Sequence, residues 1–247
     1  MSFEFFIYLV VGALAGGFIN GMAGFGTALF ALSFWLQIME PSQAVPLALT
    51  AAILPGLQGV WMVRTEILSQ RKRLLRFLLP GLAGIPLGVS MLSIVDPAQL
   101  KLFIAVVLVL YGGYFSLKGN LPRLEKSMPL IDAVVGLIGG VMGGLASLSG
   151  VLPVMWSSLQ AWSKADTRAV LQSFNLAILA TTAMTFLVKG LFTIEILKLM
   201  AITLPVSLAS AQIGLACFKR LSTDHFRRLV ILMMLSSGIA LLIRSLV

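Results

Sequence analysis

Ten apolar runs follow one another along the chain, at about 5–20, 24–38, 45–63, 77–95, 100–117, 130–147, 151–162, 169–188, 198–218 and 227–246, with only short polar segments between them. A soluble fold has no use for such a sequence, because too little polar surface is left to cover a core. Charged residues make up 11% of the chain and apolar residues 59%, with a mean hydropathy of +1.02. Soluble domains average about 25% charged residues. Inside a bilayer every backbone N–H and C=O must be satisfied within the protein, and apolar runs of this length do that as α-helices. The chain is therefore predicted to be an all-α integral membrane protein, with a single transmembrane domain over 1–247. The N-terminal MSFEFFIYLV lacks the basic segment of a secretory signal, and its apolar run leads into the next, so it reads as the first membrane element.

A full crossing takes about 20 residues. Four runs are shorter and form two adjacent pairs, 5–20 with 24–38 and 130–147 with 151–162, each joined by a few small residues. Each pair is either a broken, re-entrant hairpin or two short crossings; in both cases the chain enters and leaves on one side. The basic residues then orient the topology. Arg64, Arg71, Lys72, Arg73, Arg76, Lys118, Arg123, Lys126, Lys164, Arg168, Lys219, Arg220, Arg227 and Arg228 fall on one side, against Lys101, Lys189, Lys198 and Arg244 on the other. The first set is expected in the cytoplasm, which puts both termini outside. A net charge of +9 would suggest nucleic acid in a soluble protein. Here it fits loop charges facing anionic headgroups, and no nucleic-acid partner is expected.

The two hairpins resemble each other. Gly12, Gly16 and Gly26 recur 124 residues later as Gly136, Gly140 and Gly150, each set followed by three full-length runs. Repeats over 1–120 and 130–247, joined by a cytoplasmic loop at 118–129, are expected. Three crossings are an odd number, so the second half starts from the opposite face. Two inverted repeats result, each a broken hairpin plus three transmembrane helices, about eight helices in all; many secondary transporters share that plan.

None of the nine acids falls in the middle of a run, which argues against a cation pump or proton relay. The deep polar residues are uncharged, and they gather at the two hairpin tips. At each tip a helix restarts, presenting free backbone N–H groups and the positive end of its dipole. Two such starts make an anion site without Lys or Arg. Asn20, Gly24, Phe25, Gly26, Thr27, Ser147, Ser149 and Gly150 are the leading substrate-binding candidates, with Gln58, Gln172, Asn175 and Gln212 as a second tier on neighbouring spans. Gly12, Gly16, Gly136, Gly140 and Gly144 are expected to serve helix packing instead. The string Ser147-Leu148-Ser149-Gly150 faintly suggests an intramembrane protease, but the single histidine, His225, lies in a loop. No enzyme activity, metal site or cofactor is expected. The lone Cys217 has no intramolecular disulfide partner.

The stretches GALAGGFINGMAGFGTALF, 12–30, and PSQAVPLALTAAILPG, 41–56, resemble the sulfite exporter TauE/SafE family of sulfite and organosulfonate permeases. The likeness returns in weaker form in GLIGGVMGGLASLSGVLPV, 136–154, and RAVLQSFNLAILATT, 168–182. A familiar form of the first motif is a glycine run where this chain has Gly24-Phe25-Gly26. The resemblance implies a bacterial inner-membrane permease for sulfite, an organosulfonate such as sulfoacetate, or a related sulfur-containing or carboxylate anion. An alternating-access transporter is the expectation, an anion channel of the same architecture the alternative. Its partners would be a small anion and lipid, with self-association into a homo-oligomer left open.

Overall fold

The computed structural model describes residues 2–91, 96–117 and 124–246. Of the orienting cations, Lys118 and Arg123, and the side chains of Lys101 and Arg244, lie outside it. Among the described residues the chain is helical apart from one isolated bridge between Leu124 and Gln160. The helices are α1 (Phe3–Ala23), α2 (Thr27–Trp35), α3 (Pro41–Met62), α4 (Arg64–Ser69), α5 (Arg71–Met91), α6 (Pro97–Leu117), α7 (Pro129–Ala146), α8 (Val151–Ser158), α9 (Lys164–Val188), α10 (Ile194–Arg220) and α11 (Thr223–Leu246). Six of them, α1, α3, α5, α7, α9 and α10, are long and apolar enough to cross a membrane.

Local chemistry fixes the starts. Ser2, Ser163 and Thr193 accept hydrogen bonds from the backbone N–H three residues on, and Pro41 and Pro129 occupy first-turn positions that need no donor. The ten apolar runs reappear as ten helices, and α4 is an added short helix in the basic loop. The two members of each hairpin differ in length: α1 has 21 residues and α2 has 9, α7 has 18 and α8 has 8. At 1.5 Å per residue α1 reaches about 31 Å and α2 only about 13 Å. Each short helix folds back antiparallel on the long one. Trp35 Nε1 donates to the Leu9 carbonyl at 3.0 Å, and Trp156 Nε1 to Asp132 Oδ1 at 2.8 Å, so each indole ties a short helix to the start of its long partner. Trp35 is fully buried, unlike the interfacial tryptophan that composition alone suggests.

Glycine sets the closest helix contacts. A Cβ on Gly17 or Gly21 would fall on the Ser207 or Ala211 carbonyl, and one on Gly214 on that of Phe18, so α1 and α10 run parallel with their backbones touching. In the same way Gly136, Gly140 and Gly144 sit on the carbonyls of Phe77, Gly81 and Ile85, a parallel pair of α7 with α5. By contrast α6 packs antiparallel on α11, Gly112 against Leu235 and Gly238 against Leu108, and α3 packs antiparallel on α9, Gly56 against Leu176 and Gly59 against Gln172. Small residues permit such approach where no hydrophobic force drives helices together.

The loops near 64–76, 124–128, 159–168 and 218–227 gather at one end. Gln70 Nε2 donates to Asp166 Oδ1 at 2.9 Å, Arg76 reaches Ser127 and Asp132, Leu124 exchanges backbone hydrogen bonds with Leu159 and Ala161, and Lys164 caps carbonyls at the end of α10. At the other end Gln43 of α3 donates to Glu195 of α10 at 3.1 Å.

Candidate functional site at two helix breaks

The first break is narrower than its glycine-rich surroundings. NGMA still belongs to α1, and only Gly24, Phe25 and Gly26 leave the helix. Gly24 and Gly26 both sit in the left-handed region, at φ +86° and +90°, which residues with a Cβ rarely adopt. Two such residues reverse the chain in three positions and leave Phe25 buried between them. Asn20 and Thr27, now face to face across the turn, are tied by Asn20 Nδ2 donating to Thr27 Oγ1 at 2.8 Å and to the Ala52 carbonyl of α3 at 3.1 Å. Gln172 of α9 completes the cluster, its Nε2 facing the Gly56 carbonyl at 3.3 Å and Asn20 Oδ1 at 3.5 Å. A carbonyl can only accept, so Ala52 and Gly56 fix which way both amides point. Gln172 Oε1 is left buried without a partner, packed between the bare faces of Gly24 and Gly59.

The second break is built differently. Ser147 takes the left-handed position at φ +58°, the one non-glycine residue with positive φ among the described residues. Its N–H bonds to the Gly143 carbonyl at 3.0 Å, the closure of an αL cap, and that of Leu148 to the Met142 carbonyl at 3.2 Å. Gly150 has ordinary right-handed angles, φ −81°, so its missing side chain serves space. A Cβ there would stand 3.0 Å from Cβ of Phe25 and 3.3 Å from its ring. The two breaks, far apart in sequence, therefore touch at Phe25 and Gly150. Ser149 Oγ donates to Asn175 Oδ1 at 2.6 Å, while Ser147 Oγ is buried and unpartnered.

One helix serves both breaks. Gln172 and Asn175 are one turn apart near the middle of α9, the first bonded to the α1–α2 break and the second to the α7–α8 break. The N–H groups of Thr27, Ala28 and Leu29 open α2 without intrahelical acceptors, and neither Gly26 nor Gly150 supplies a side-chain cap. In α8 Pro153 removes one donor from the equivalent turn. The chemistry on offer is a set of aimed N–H, hydroxyl and amide groups, and none of the hydrogen bonds at the breaks engages a carboxylate among the described residues.

Ten of the twelve expected site residues gather here: Asn20, Gly24, Phe25, Gly26, Thr27, Ser147, Ser149, Gly150, Gln172 and Asn175. Gln58 and Gln212 do not. They are exposed and hydrogen-bonded to each other between α3 and α10. Helix geometry explains it: Gly56 and Gly59 face inward toward α9, which turns Gln58 outward.

Arg168 is the residue that sequence reasoning misplaced. Counted among loop cations, it lies in the second turn of α9, fully buried. Nη1 donates to the Met22 carbonyl at 2.9 Å and Nη2 to that of Gly21 at 2.7 Å, and the guanidinium stacks 4.3 Å above the Phe218 ring. It thus caps the negative end of α1 beside the first break. The only sign in the sequence is its spacing, one turn before Gln172 on the same face. Elsewhere Ser149 is engaged with Asn175, and His225 Nδ1 pairs with the neighbouring Ser222 Oγ at 2.7 Å in an exposed N-terminal turn.

Comparison with curated proteins and with solved structures gives no match. A family model does match: sulfite exporter TauE/SafE, over residues 8–241, which takes in both breaks and all of the paired helices. With its helices long enough to span a bilayer and its model match covering nearly the whole chain, this multi-pass membrane protein belongs to the sulfite exporter TauE/SafE family.

Proposed function

We propose that the chain is a secondary transporter that carries a small anion, sulfite, an organosulfonate such as sulfoacetate, or a related sulfur-containing or carboxylate anion, by alternating access at the paired breaks. The contact of Phe25 with Gly150 carries the reading, because it brings two helix starts and two polar clusters to one buried place near the middle of α3 and α9. Backbone N–H groups at helix starts stabilise an anion. The breaks are packed shut against each other, as an occluded carrier requires and a continuous pore does not.

Two features support inverted halves over 1–120 and 130–247. Exchanging α1 with α7, α2 with α8, α3 with α9, α5 with α10 and α6 with α11 maps the parallel pair α1–α10 onto α7–α5, and the antiparallel pairs α3–α9 and α6–α11 onto themselves. The directions of these pairs also agree with a topology in which the cation-rich end is cytoplasmic and both termini are periplasmic. A bacterial inner membrane suits that arrangement.

Purified protein in liposomes, given an imposed gradient of sulfite, sulfoacetate or taurine in separate trials, tests the reading. Saturable flux with counterflow is expected for at least one of them. Single-channel currents without counterflow would make it a channel, and no flux of any small anion through folded protein would end the proposal.

A further inference from the structure

We infer that the anion taken at the breaks carries its own hydrogen-bond donor: the substrate is a singly charged oxyanion with an O–H or N–H group, such as hydrogensulfite, and donorless dianions are rejected, fully ionised sulfoacetate among them, which narrows the substrates proposed above. This rests on the transporter reading above. The observation behind it is an acceptor where an anion site would be expected to hold only donors. Gln172 Oε1 is buried, without a partner, and lies between the bare faces of Gly24 at the first break and Gly59 of α3. It cannot exchange places with Nε2, because the amide would then set oxygen against the Gly56 carbonyl and Asn20 Oδ1. Turning Asn20 as well would only move the conflict to the Ala52 carbonyl. Two backbone carbonyls of α3 thus lock an oxygen toward the first break.

Sulfate or dianionic sulfite would place lone pairs against that oxygen, whereas an O–H or N–H would satisfy it. Sites built to bond a substrate hydrogen reject analogues lacking it by large factors. Charge points the same way. Arg168, one turn from Gln172 on α9, is a buried cation with no carboxylate partner among the described residues, so one negative charge balances it. Ser147 Oγ at the second break, one of several further buried orphans that include Arg168 Nε beside the first, can donate to or accept from the same ligand. Among the described residues no carboxylate or histidine bonds to either break, so the proton stays on the substrate and crosses with it.

The test uses the intact protein in liposomes enclosing a pH-sensitive dye, with protein-free liposomes subtracted. Total sulfite is held constant while external pH is varied through the range in which the anion takes up its proton. Uptake should follow the hydrogensulfite fraction, falling about tenfold per pH unit above the anion's pKa. The lumen should acidify as anion enters, and sulfate in excess should not compete. Gln172→Met, checked for folding by its melting curve, should reduce the preference for hydrogensulfite over sulfate by about tenfold or more. Should that variant not fold, the pH and sulfate results on the unaltered protein decide alone. Uptake that follows the dianion, or sulfate competing as well as sulfite, overturns the inference and leaves the transporter standing. Absence of flux for every anion removes both.

Discussion

The two breaks do the same thing to the chain by different means, and the difference concerns where each long helix finds partners for its last carbonyls. At the second break α7 closes on itself, with Ser147 and Leu148 returning their N–H groups to Gly143 and Met142. At the first, Gly24 returns one N–H to Asn20, and the Gly21 and Met22 carbonyls are served by Arg168 from the other half of the sequence. The second break is thus a local turn. The first is completed by tertiary structure, and its geometry depends on where α9 stands. Contact between the two halves of the sequence is therefore built into the first break more than the second.

The largest test of this contrast is Arg168→Met. It strips two buried carbonyls of their donors and should cost about 3 kcal/mol, seen as a lowered melting temperature in detergent. A loss below the error of the melt would mean that α1 does not need the guanidinium. Next, Gly24→Ala forces a Cβ into the left-handed region and against Gln172, and should cost about 2 kcal/mol. Gly150→Ala, with normal backbone angles and only Phe25 in its way, should cost about 1 kcal/mol and regain part of that in the double variant with Phe25→Gly, which removes the Phe25 Cβ as well as the ring. Equal losses for the two glycines would erase the distinction. Ser147→Gly should go the other way and stabilise by about 0.5–1 kcal/mol, since it relieves a non-glycine left-handed residue. Smallest of all, Gln58→Leu or Gln212→Leu should change stability by no more than about 0.6 kcal/mol and leave substrate affinity unaltered. A large rise in the transport KM for either would return that pair to the site.

Hydropathy alone made most of the helices legible, because a bilayer leaves the backbone almost no alternative. It misjudged the lengths of α1 and α2 because glycine and asparagine were read as the end of a helix, while Asn20 to Ala23 remain helical against α10. The breaks themselves were visible as paired clusters of small and polar residues. Their contact was not, since nothing in NGMAGFG says that Phe25 will seat on Gly150. Arg168 was hidden by its neighbours: it follows Lys164 and Asp166, and a charged stretch reads as a loop whether or not one member turns inward. Gln58 and Gln212 were drawn in by polarity, although the inward glycines on α3 already assigned the opposite face.

The parallel pairs restrict how the molecule can move. In α1–α10 and α5–α7 each partner comes from a different half of the sequence, and the glycine contacts leave no gap into which either backbone can slide. Rocking of residues 1–120 against 130–247 would have to tear both seams at once. In the proposed transport cycle the rigid blocks would then be mixed ones, each a helix of one half packed on a helix of the other. The proposed cycle would then open between those blocks, along α3, α9 and the two short helices.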